Sequence, residues 1–146
     1  MDLEAKLRKA AYHWALDRGW LPRVSALAAA CSAPESDVRE ALQRLASQRV
    51  VVLQPASGEL LMLPPFSAVP TPFSVCSPRH RSYANCAWDA LGAAVMLRET
   101  VDIVASCGCC GESMRLEASR DAPPYGSGVI HFGVPARRWW DDVVFT

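Results

Sequence analysis

Apolar residues recur three or four positions apart in the first third of the chain. Three segments show this spacing: Leu3, Leu7, Ala11 and Trp14; Val24, Leu27 and Ala28; and Val38, Ala41, Leu42 and Leu45. The pattern predicts three amphipathic helices, because such positions fall on one helical face. We expect the first helix to end at Gly19 and the second to open at Pro22. Before the third helix, Ser32 and Glu35 have the spacing of a capping box.

Two short apolar runs follow these helices, at residues 50–53 and 60–63, on either side of Ser57 and Gly58. They predict a β-hairpin with its turn at the serine and glycine. Three helices and a hairpin indicate a winged-helix-like subdomain over residues 1–63. The next segment, residues 64–82, contains five prolines. We expect it to be a linker that wraps the surface and does not pair in a central strand.

The rest of the chain, residues 83–146, alternates helical and strand patterns. A helix is predicted over residues 85–97, with Asn85 as its N-cap. Alternating apolar positions predict three strands, at residues 101–106, 114–119 and 129–134. Pro135 is expected to begin a short last helix. The predicted fold class is therefore α+β, with a winged-helix-like subdomain followed by a small antiparallel or mixed β-sheet subdomain that carries a helix.

Composition limits the location and the partners of the protein. Of its 146 residues 51% are hydrophobic, and 15 basic residues balance 15 acidic ones. Balanced charge provides no broad attraction for nucleic acid or for an anionic membrane. The apolar runs are shorter than a membrane span, and the charged start, MDLEAK, lacks the apolar region of a signal peptide. We therefore expect a cytoplasmic protein with no membrane partner.

The cysteine content is unusual and points to thiol chemistry. The six cysteines are Cys31, Cys76, Cys86, Cys107, Cys109 and Cys110. In a reducing compartment cysteines stay thiols, so metal binding or thiolate chemistry explains a cluster better than disulfides do. Cys86 and Asp89 lie near the start of the predicted helix and on one face of it. Free amides there should lower the pKa of the thiol, and a soft sulfur beside a carboxylate suits a soft metal and proton transfer. From spacing alone we favour the simpler explanation, a buried cysteine near a capping aspartate, because Cys-x-x-Asp patterns are common and unspecific.

Residues 107–111 form a second candidate site. Cys107 and Cys110 have the spacing of half a zinc knuckle, and the two glycines of this segment allow a tight turn. Zinc needs about four ligands, so the set would have to be completed from Cys86, Cys109, His80 or His131. A turn of reduced thiols that binds no metal is an equal alternative.

Several other residues have structural explanations. We expect His13 to be structural, His80 to be solvated and His131 to be packed within a strand. Trp139 and Trp140 would cover the core or wall an apolar pocket. The third helix, where a winged helix would read DNA, exposes mixed charges that suit phosphate contact poorly.

The stretch YANCAWDAL, residues 83–91, resembles the organomercurial (alkylmercury) lyase family. That family carries a tyrosine and then Cys-Ala-x-Asp-x-Leu at the start of its catalytic helix, matched here by Tyr83, Cys86, Ala87, Asp89 and Leu91. The resemblance extends through the following strand to Cys107 and Gly111, and then to His131 and Phe132. It also includes the N-terminal subdomain, because these enzymes begin with a winged-helix-like unit.

The resemblance implies a mechanism. Cys86 would capture the organomercurial cation as a thiolate, a second thiolate would add to the mercury, and Asp89 would pass a proton to the carbon. The products would be a hydrocarbon and Hg(II), which cellular thiols would accept, and no organic cofactor would be needed. The substrate would be an organomercurial or another soft organometal.

One departure from the family concerns the second thiolate. Ser127 stands where the second catalytic cysteine is expected, and a hydroxyl is too hard a ligand to replace a thiolate on mercury. Cys109 and Cys110 are the candidates to supply a thiol instead. Two other hypotheses stay open: a non-catalytic protein binding zinc or Hg(II) through Cys86, Cys107, Cys109 and Cys110, and a metal-responsive winged-helix regulator that binds DNA.

Overall fold

Three helices open the chain and pack together through the apolar stripes that predict them. The structure, a computed structural model, describes residues 2–144. Its first helices are α1 (Leu3–Arg18), α2 (Val24–Cys31) and α3 (Glu35–Ser47). Leu7, Val24 and Val38, one from each helix, are at most 1% exposed. The predicted helices are therefore confirmed, and their buried faces are the predicted ones.

The ends of these helices follow the prediction at one point and depart from it at another. Gly19 ends α1 in the left-handed conformation, with φ of 79°. A side chain there would collide with the carbonyl oxygen of Arg81, so glycine lets the two segments touch. The capping box before α3 is wrong. Ser32 ends α2 in a left-handed conformation, and α3 follows Pro34 without a side-chain cap.

A single antiparallel sheet of eight strands forms the second layer, in the order β1-β2-β3-β5-β4-β6-β7-β8. Its strands are β1 (Val52–Leu53), β2 (Leu60–Leu63), β3 (Phe66–Ser67), β4 (Ser74–Cys76), β5 (Arg81–Ala84), β6 (Val101–Ser106), β7 (Ser113–Ala118) and β8 (Tyr125–Gly126). The helices and this sheet make an α+β fold, as predicted. Because β1 and β2 join the same sheet as β6 and β7, one sheet includes strands from all three predicted segments, 1–63, 64–82 and 83–146. The boundaries between these segments remain a prediction.

The proline-rich segment is not the surface linker that we predicted. It supplies β3, β4 and the start of β5, which occupy the middle of the sheet. The prolines lie in the connections between these strands, so the strand amides remain free to pair. Val75 in β4 is fully buried, and its neighbours in the register are Ser82 and Ile103. The linker prediction was wrong because it considered how many prolines the segment contains and not where in the segment they lie.

The last part of the chain contains α4 (Ala87–Leu97), the β6–β7 hairpin and a 3₁₀ helix (Ala136–Asp141). The predicted helix and hairpin are confirmed, and Pro135 does precede the last short helix. The strand predicted at residues 129–134 is wrong. The chain leaves the sheet after β8, Gly128 has a φ of 125°, and Val129 is 90% exposed. An alternating pattern alone does not make a strand, because strand formation also depends on the packing that the rest of the fold provides.

Small residues bring α4 close to the sheet. Ala90, Ala93 and Ala94 are completely buried, and α4 contacts β4, β5 and β6. Alanine favours the helix and leaves room for close packing on the sheet. This contact fixes the start of α4 beside the end of β5. Among residues 2–144, no helix is both long and apolar enough to cross a lipid bilayer.

Candidate functional site

The start of α4 places a sulfur and a carboxyl group side by side. Cys86, in extended conformation, is the N-cap, and its Sγ accepts a hydrogen bond from the backbone N–H of Asp89 at 3.4 Å. The helix therefore begins one residue later than predicted, and Asn85 is not its cap. A cysteine thus occupies a position where serine, threonine, aspartate or asparagine is usual. The local geometry directs its sulfur toward the free amides of the first turn.

Asn85 instead binds the carboxyl group. Its Nδ2 donates a hydrogen bond to Oδ2 of Asp89 at 2.8 Å. Its Oδ1 is buried and accepts no hydrogen bond within the described part of the chain. Burial raises the pKa of Asp89, and the Asn85 hydrogen bond partly opposes that rise. Asp89 is therefore more easily protonated than an exposed aspartate.

The thiol of Cys86 is also harder to ionise than we predicted. Burial raises its pKa, the hydrogen bond from the Asp89 amide lowers it, and the negative charge of Asp89 raises it again. The prediction of a lowered pKa considered only the helix end and is wrong, because desolvation of the thiolate outweighs the amides. A resting Cys86 is thus a thiol beside a carboxyl group that can take its proton.

Both side chains open into one cavity of about 210 Å³. Its other lining residues are mostly apolar: Val52, Met62, Pro64, Asn85, Trp88, Phe132, Trp139, Trp140, Val143 and Val144. An apolar cavity with a few converging polar groups is the usual form of a small-molecule site. The sulfur and the acid predicted from the sequence therefore share a site that can accept an apolar group.

Aromatic residues from the end of the chain form one wall of this cavity. The rings of Phe132 and Trp139 lie 4.9 Å apart between centroids, and Trp139 Nε1 donates to the carbonyl of Val134 at 2.8 Å. The guanidinium of Arg49 lies 5.7 Å from the centroid of the Trp140 ring. Of the two alternatives for the tryptophans, walling an apolar pocket is the one that the structure favours.

The opposite wall contains residues that sequence reasoning missed. Val52, Met62 and Pro64 come from the β1–β2 hairpin and the turn after it. Tyr12, on α1, donates a hydrogen bond to the carbonyl of Pro64 at 2.8 Å. Burial raises the pKa of Tyr12, and the charge of Asp89 contributes to that rise, so the phenol is near the acid. No local signal in the sequence identifies these residues, because their contacts with α4 are long-range.

The cysteine turn, residues 107–111, closes the β6–β7 hairpin and does not line the cavity. The amides of Cys110 and Cys109 and the Cys110 thiol bond to Cys107 Sγ, and together they lower the pKa of Cys107. Cys109 and Cys110 are exposed. Ser127, also exposed, does not line the cavity either. Of the described cysteines, Cys86 alone therefore lines the cavity.

The predicted zinc set is not assembled. Within residues 2–144, no three side chains of histidine, cysteine, aspartate or glutamate lie close enough to hold one ion. His131 is exposed in an irregular segment and is not packed in a strand as we predicted. His80 is 6% exposed and not solvated as predicted, because its ring bonds the Leu16 carbonyl at 3.1 Å and Ser82 Oγ at 2.9 Å. The donors of this chain therefore do not fit a structural zinc site.

The surface of α3 gives no support to the DNA-binding hypothesis. Arg39 forms ion pairs with Glu35 and Glu59, and Arg44 pairs with Glu4 at 2.6 Å. Cations held by neighbouring carboxylates are poor partners for phosphates, whose binding depends on free positive charge.

Comparisons with known proteins match this chain to a protein family and to a solved structure. A sequence profile of the family described as alkylmercury lyase (MerB) matches residues 66–146. A solved structure, the mercury-bound form of MerB2, superposes with a TM-score of 0.62 and 19% sequence identity, over 81% of this chain and 56% of that one. At that identity the likeness shows a shared fold, and this chain spans little more than half of the other. No curated protein sequence matches the chain.

Proposed function

The chain belongs to the alkylmercury lyase family, and from that premise we propose that it cleaves carbon–mercury bonds with Cys86 as nucleophile and Asp89 as proton carrier. The observation that supports this most directly is the opening of both groups into one apolar cavity of about 210 Å³. The organic part of the substrate would occupy the apolar space, and the metal would face the sulfur.

Capture begins with transfer of a proton. The Cys86 thiol attacks mercury, the S–Hg bond forms, the original anionic ligand leaves, and the thiol proton passes to Asp89. The carboxylate is suitable as the acceptor because burial raises its pKa, so it holds a proton more readily than an exposed aspartate does. Soft mercury pairs with soft sulfur, and this strong bond offsets the cost of ionising a buried thiol.

Cleavage returns the same proton to carbon. Asp89 gives up its proton as the carbon–mercury bond breaks, and the bonding electron pair goes to the new carbon–hydrogen bond. A hydrocarbon leaves, and Hg(II) remains on Cys86 with the Asp89 carboxylate beside it. The apolar wall formed by Phe132 and Trp139 keeps water away, which favours proton delivery from Asp89, the acid among the described residues that line the cavity.

A second thiolate would come from solution. Neither Ser127 nor the cysteine turn lines the cavity, so the described residues supply one thiol there, that of Cys86. A small cellular thiol that adds to the bound mercury would weaken the carbon–mercury bond by donating electron density, and it would later carry the ion away. The rate of cleavage should therefore rise with thiol concentration and then saturate.

The test measures benzene released from phenylmercury by the purified chain in excess monothiol. The unchanged protein should release benzene, Cys86→Ser should release none, and Asp89→Asn should bind the organomercurial at Cys86 without releasing hydrocarbon. Cys76→Ser is the matched control, because that cysteine lies in β4 and does not line the cavity. Absence of benzene from a folded, fully reduced chain would refute the proposed activity.

A further inference from the structure

The cysteine turn contains more sulfur than its role in the hairpin requires. The turn is closed by backbone hydrogen bonds, from Gly111 N–H to the Cys107 carbonyl and from Cys107 N–H to the Glu112 carbonyl, each of 2.8 Å. Neither bond uses a side chain, so the cysteines are not needed to close it. Gly108 and Gly111 have no atom within 4 Å of where a Cβ would stand, so space around the turn is open.

Two of these sulfurs already lie together. The hydrogen bond from Gly111 N–H to the Cys107 carbonyl folds residues 107–111 into one tight turn, which brings the Cys110 thiol near Cys107 Sγ. Hydrogen bonding from the Cys110 amide, the Cys109 amide and the Cys110 thiol lowers the pKa of Cys107. Cys107 is half-buried, whereas Cys110 is exposed. The pair therefore has one sulfur that is held in place and one that solution can reach, which is favourable for exchange of a thiophilic ion.

The register of the sheet places this turn at the same end of the strands as the cavity. Ser74 of β4 pairs with Tyr83 of β5 on one side and with Val104 of β6 on the other. Because β5 and β6 are both antiparallel to β4, they run in the same direction. Cys86 follows Tyr83 by three residues and Cys107 follows Val104 by three. In the sheet, β5 and β6 are two strand spacings apart, about 9.6 Å. Both cysteines follow the carboxyl ends of these strands, so they lie at the same end of the sheet.

We propose that Cys107 and Cys110 form a two-thiolate site for Hg(II), which accepts the ion from Cys86 and exposes it to solution. Hg(II) favours two thiolates in a nearly linear arrangement. In the cavity no second thiol accompanies Cys86 among residues 2–144, and the neighbouring Asp89 carboxylate is a hard ligand. In the turn the second thiol is already present at a high effective concentration, so the ion should prefer the turn.

The transfer is a ligand exchange that balances without a redox agent. Two S–Hg bonds form, to Cys107 and Cys110, and the bonds to Cys86 and to its second ligand break. The protons of the incoming thiols pass to the departing Cys86 thiolate and to the second ligand. The transfer rests on the proposed lyase activity, because that activity supplies the Hg(II). Binding of the inorganic ion to the turn does not depend on it.

The test uses one equivalent of HgCl₂ on the reduced full chain, without added thiol, followed by alkylation and digestion with trypsin. Cys86 lies in the peptide of residues 82–98 and the cysteine turn in that of residues 99–115, so fragmentation resolves each cysteine. We expect Cys107 and Cys110 to be protected about tenfold more than Cys86 and Cys109. Protection of Cys86 with an alkylated turn would overturn the proposal.

Two variants in the turn complete the design. Cys110→Ser should move the protection to Cys86, whereas Cys109→Ser, the matched control, should leave the wild-type pattern. An unchanged pattern in Cys110→Ser, or loss of protection in Cys109→Ser, would refute the pairing. Both positions are exposed, so far-ultraviolet circular dichroism should be unchanged. Because HgCl₂ contains no carbon–mercury bond, this result is independent of benzene release, and each proposal can fail alone.

Discussion

Asn85 Nδ2 lies 2.8 Å from Oδ2 of Asp89, and this hydrogen bond opposes the effect of burial on the acid. The Oδ1 atom of Asn85 is buried and has no hydrogen-bond partner within residues 2–144. An unsatisfied buried acceptor costs free energy, so the fold retains Asn85 at the expense of stability. We infer that Asn85 is a positioning residue that orients the carboxyl group toward the cavity.

Asn85→Ala should change the pH dependence of the reaction. Loss of a hydrogen bond to the charged carboxylate, worth roughly 1.5–3 kcal/mol, removes an influence that lowers the pKa of Asp89. Protonolysis needs the protonated acid, so the rate falls above that pKa, and this falling limb should move to higher pH by about one unit. The measurement is single-turnover benzene release between about pH 5 and about pH 9.

The control for this experiment is Asn85→Gln, which keeps an amide donor. It should shift the limb less than the alanine variant does. An unchanged limb in Asn85→Ala, with normal folding, would show that the amide has no influence on the proton carrier.

Trp139→Ala should impair cleavage of aromatic substrates more than that of methylmercury. The indole ring packs against Phe132 and lines the cavity, so its loss removes contacts with a phenyl group but few with a methyl group. We expect kcat/KM for phenylmercury to fall about tenfold, equal to roughly 1.4 kcal/mol, a typical scale for aromatic contacts. Trp20→Ala is the control, because Trp20 is 59% exposed and does not line the cavity. Equal losses for both substrates would contradict a role in recognising the organic group.

His80 should make the protein less stable in mild acid. Burial lowers the pKa of its ring below 6.5, although the Leu16 carbonyl and Glu99 oppose the shift. The unfolded chain then binds the proton more readily than the folded one, so stability is present above about pH 6.5 and is lost as pH falls toward the lower folded value. Urea unfolding should show a steeper loss of free energy between about pH 7 and 5.5 in the wild type than in His80→Gln. Parallel curves for the two proteins would refute this.

Gly19→Ala should destabilise the fold through its backbone. A left-handed conformation costs a side chain roughly 1–2 kcal/mol, and the added Cβ would also collide with the Arg81 carbonyl. We expect a loss of more than about 2 kcal/mol in the free energy of unfolding, measured by urea titration. Gly133→Ala provides the comparison, because a Cβ there would meet no atom within 4 Å. A neutral Gly19→Ala would mean that α1 can end elsewhere.

Local patterns predicted the parts of the fold that depend on local chemistry. The three N-terminal helices, α4 and the β6–β7 hairpin have strong periodicity and formed as expected. The middle strands were missed because their prolines lie between strands, a distinction that proline density does not record. The strand predicted at residues 129–134 failed although its apolar positions alternate, because alternation alone does not determine whether a segment joins the sheet.

The candidate site was predictable only as far as one helical turn. Cys86 and Asp89 are three residues apart, so their proximity follows from sequence, whereas the walls of the cavity come from Met62 and Trp139. Contacts between residues so far apart leave no periodic signal. The direction of the pKa shift of Cys86 was missed for the same reason, because burial by distant segments decides it.

One part of the cavity wall belongs to a short 3₁₀ helix that lies outside the sheet. The 3₁₀ helix contributes Trp139 and Trp140 to the wall of the cavity that Cys86 lines, and it is not part of the sheet. Fraying of that short helix would uncover Cys86 while the eight-stranded platform stays intact. This local opening would admit a bulky organometal without unfolding the rest of the protein. Hydrogen exchange at the indole N–H groups of Trp139 and Trp140 would measure how often the opening occurs.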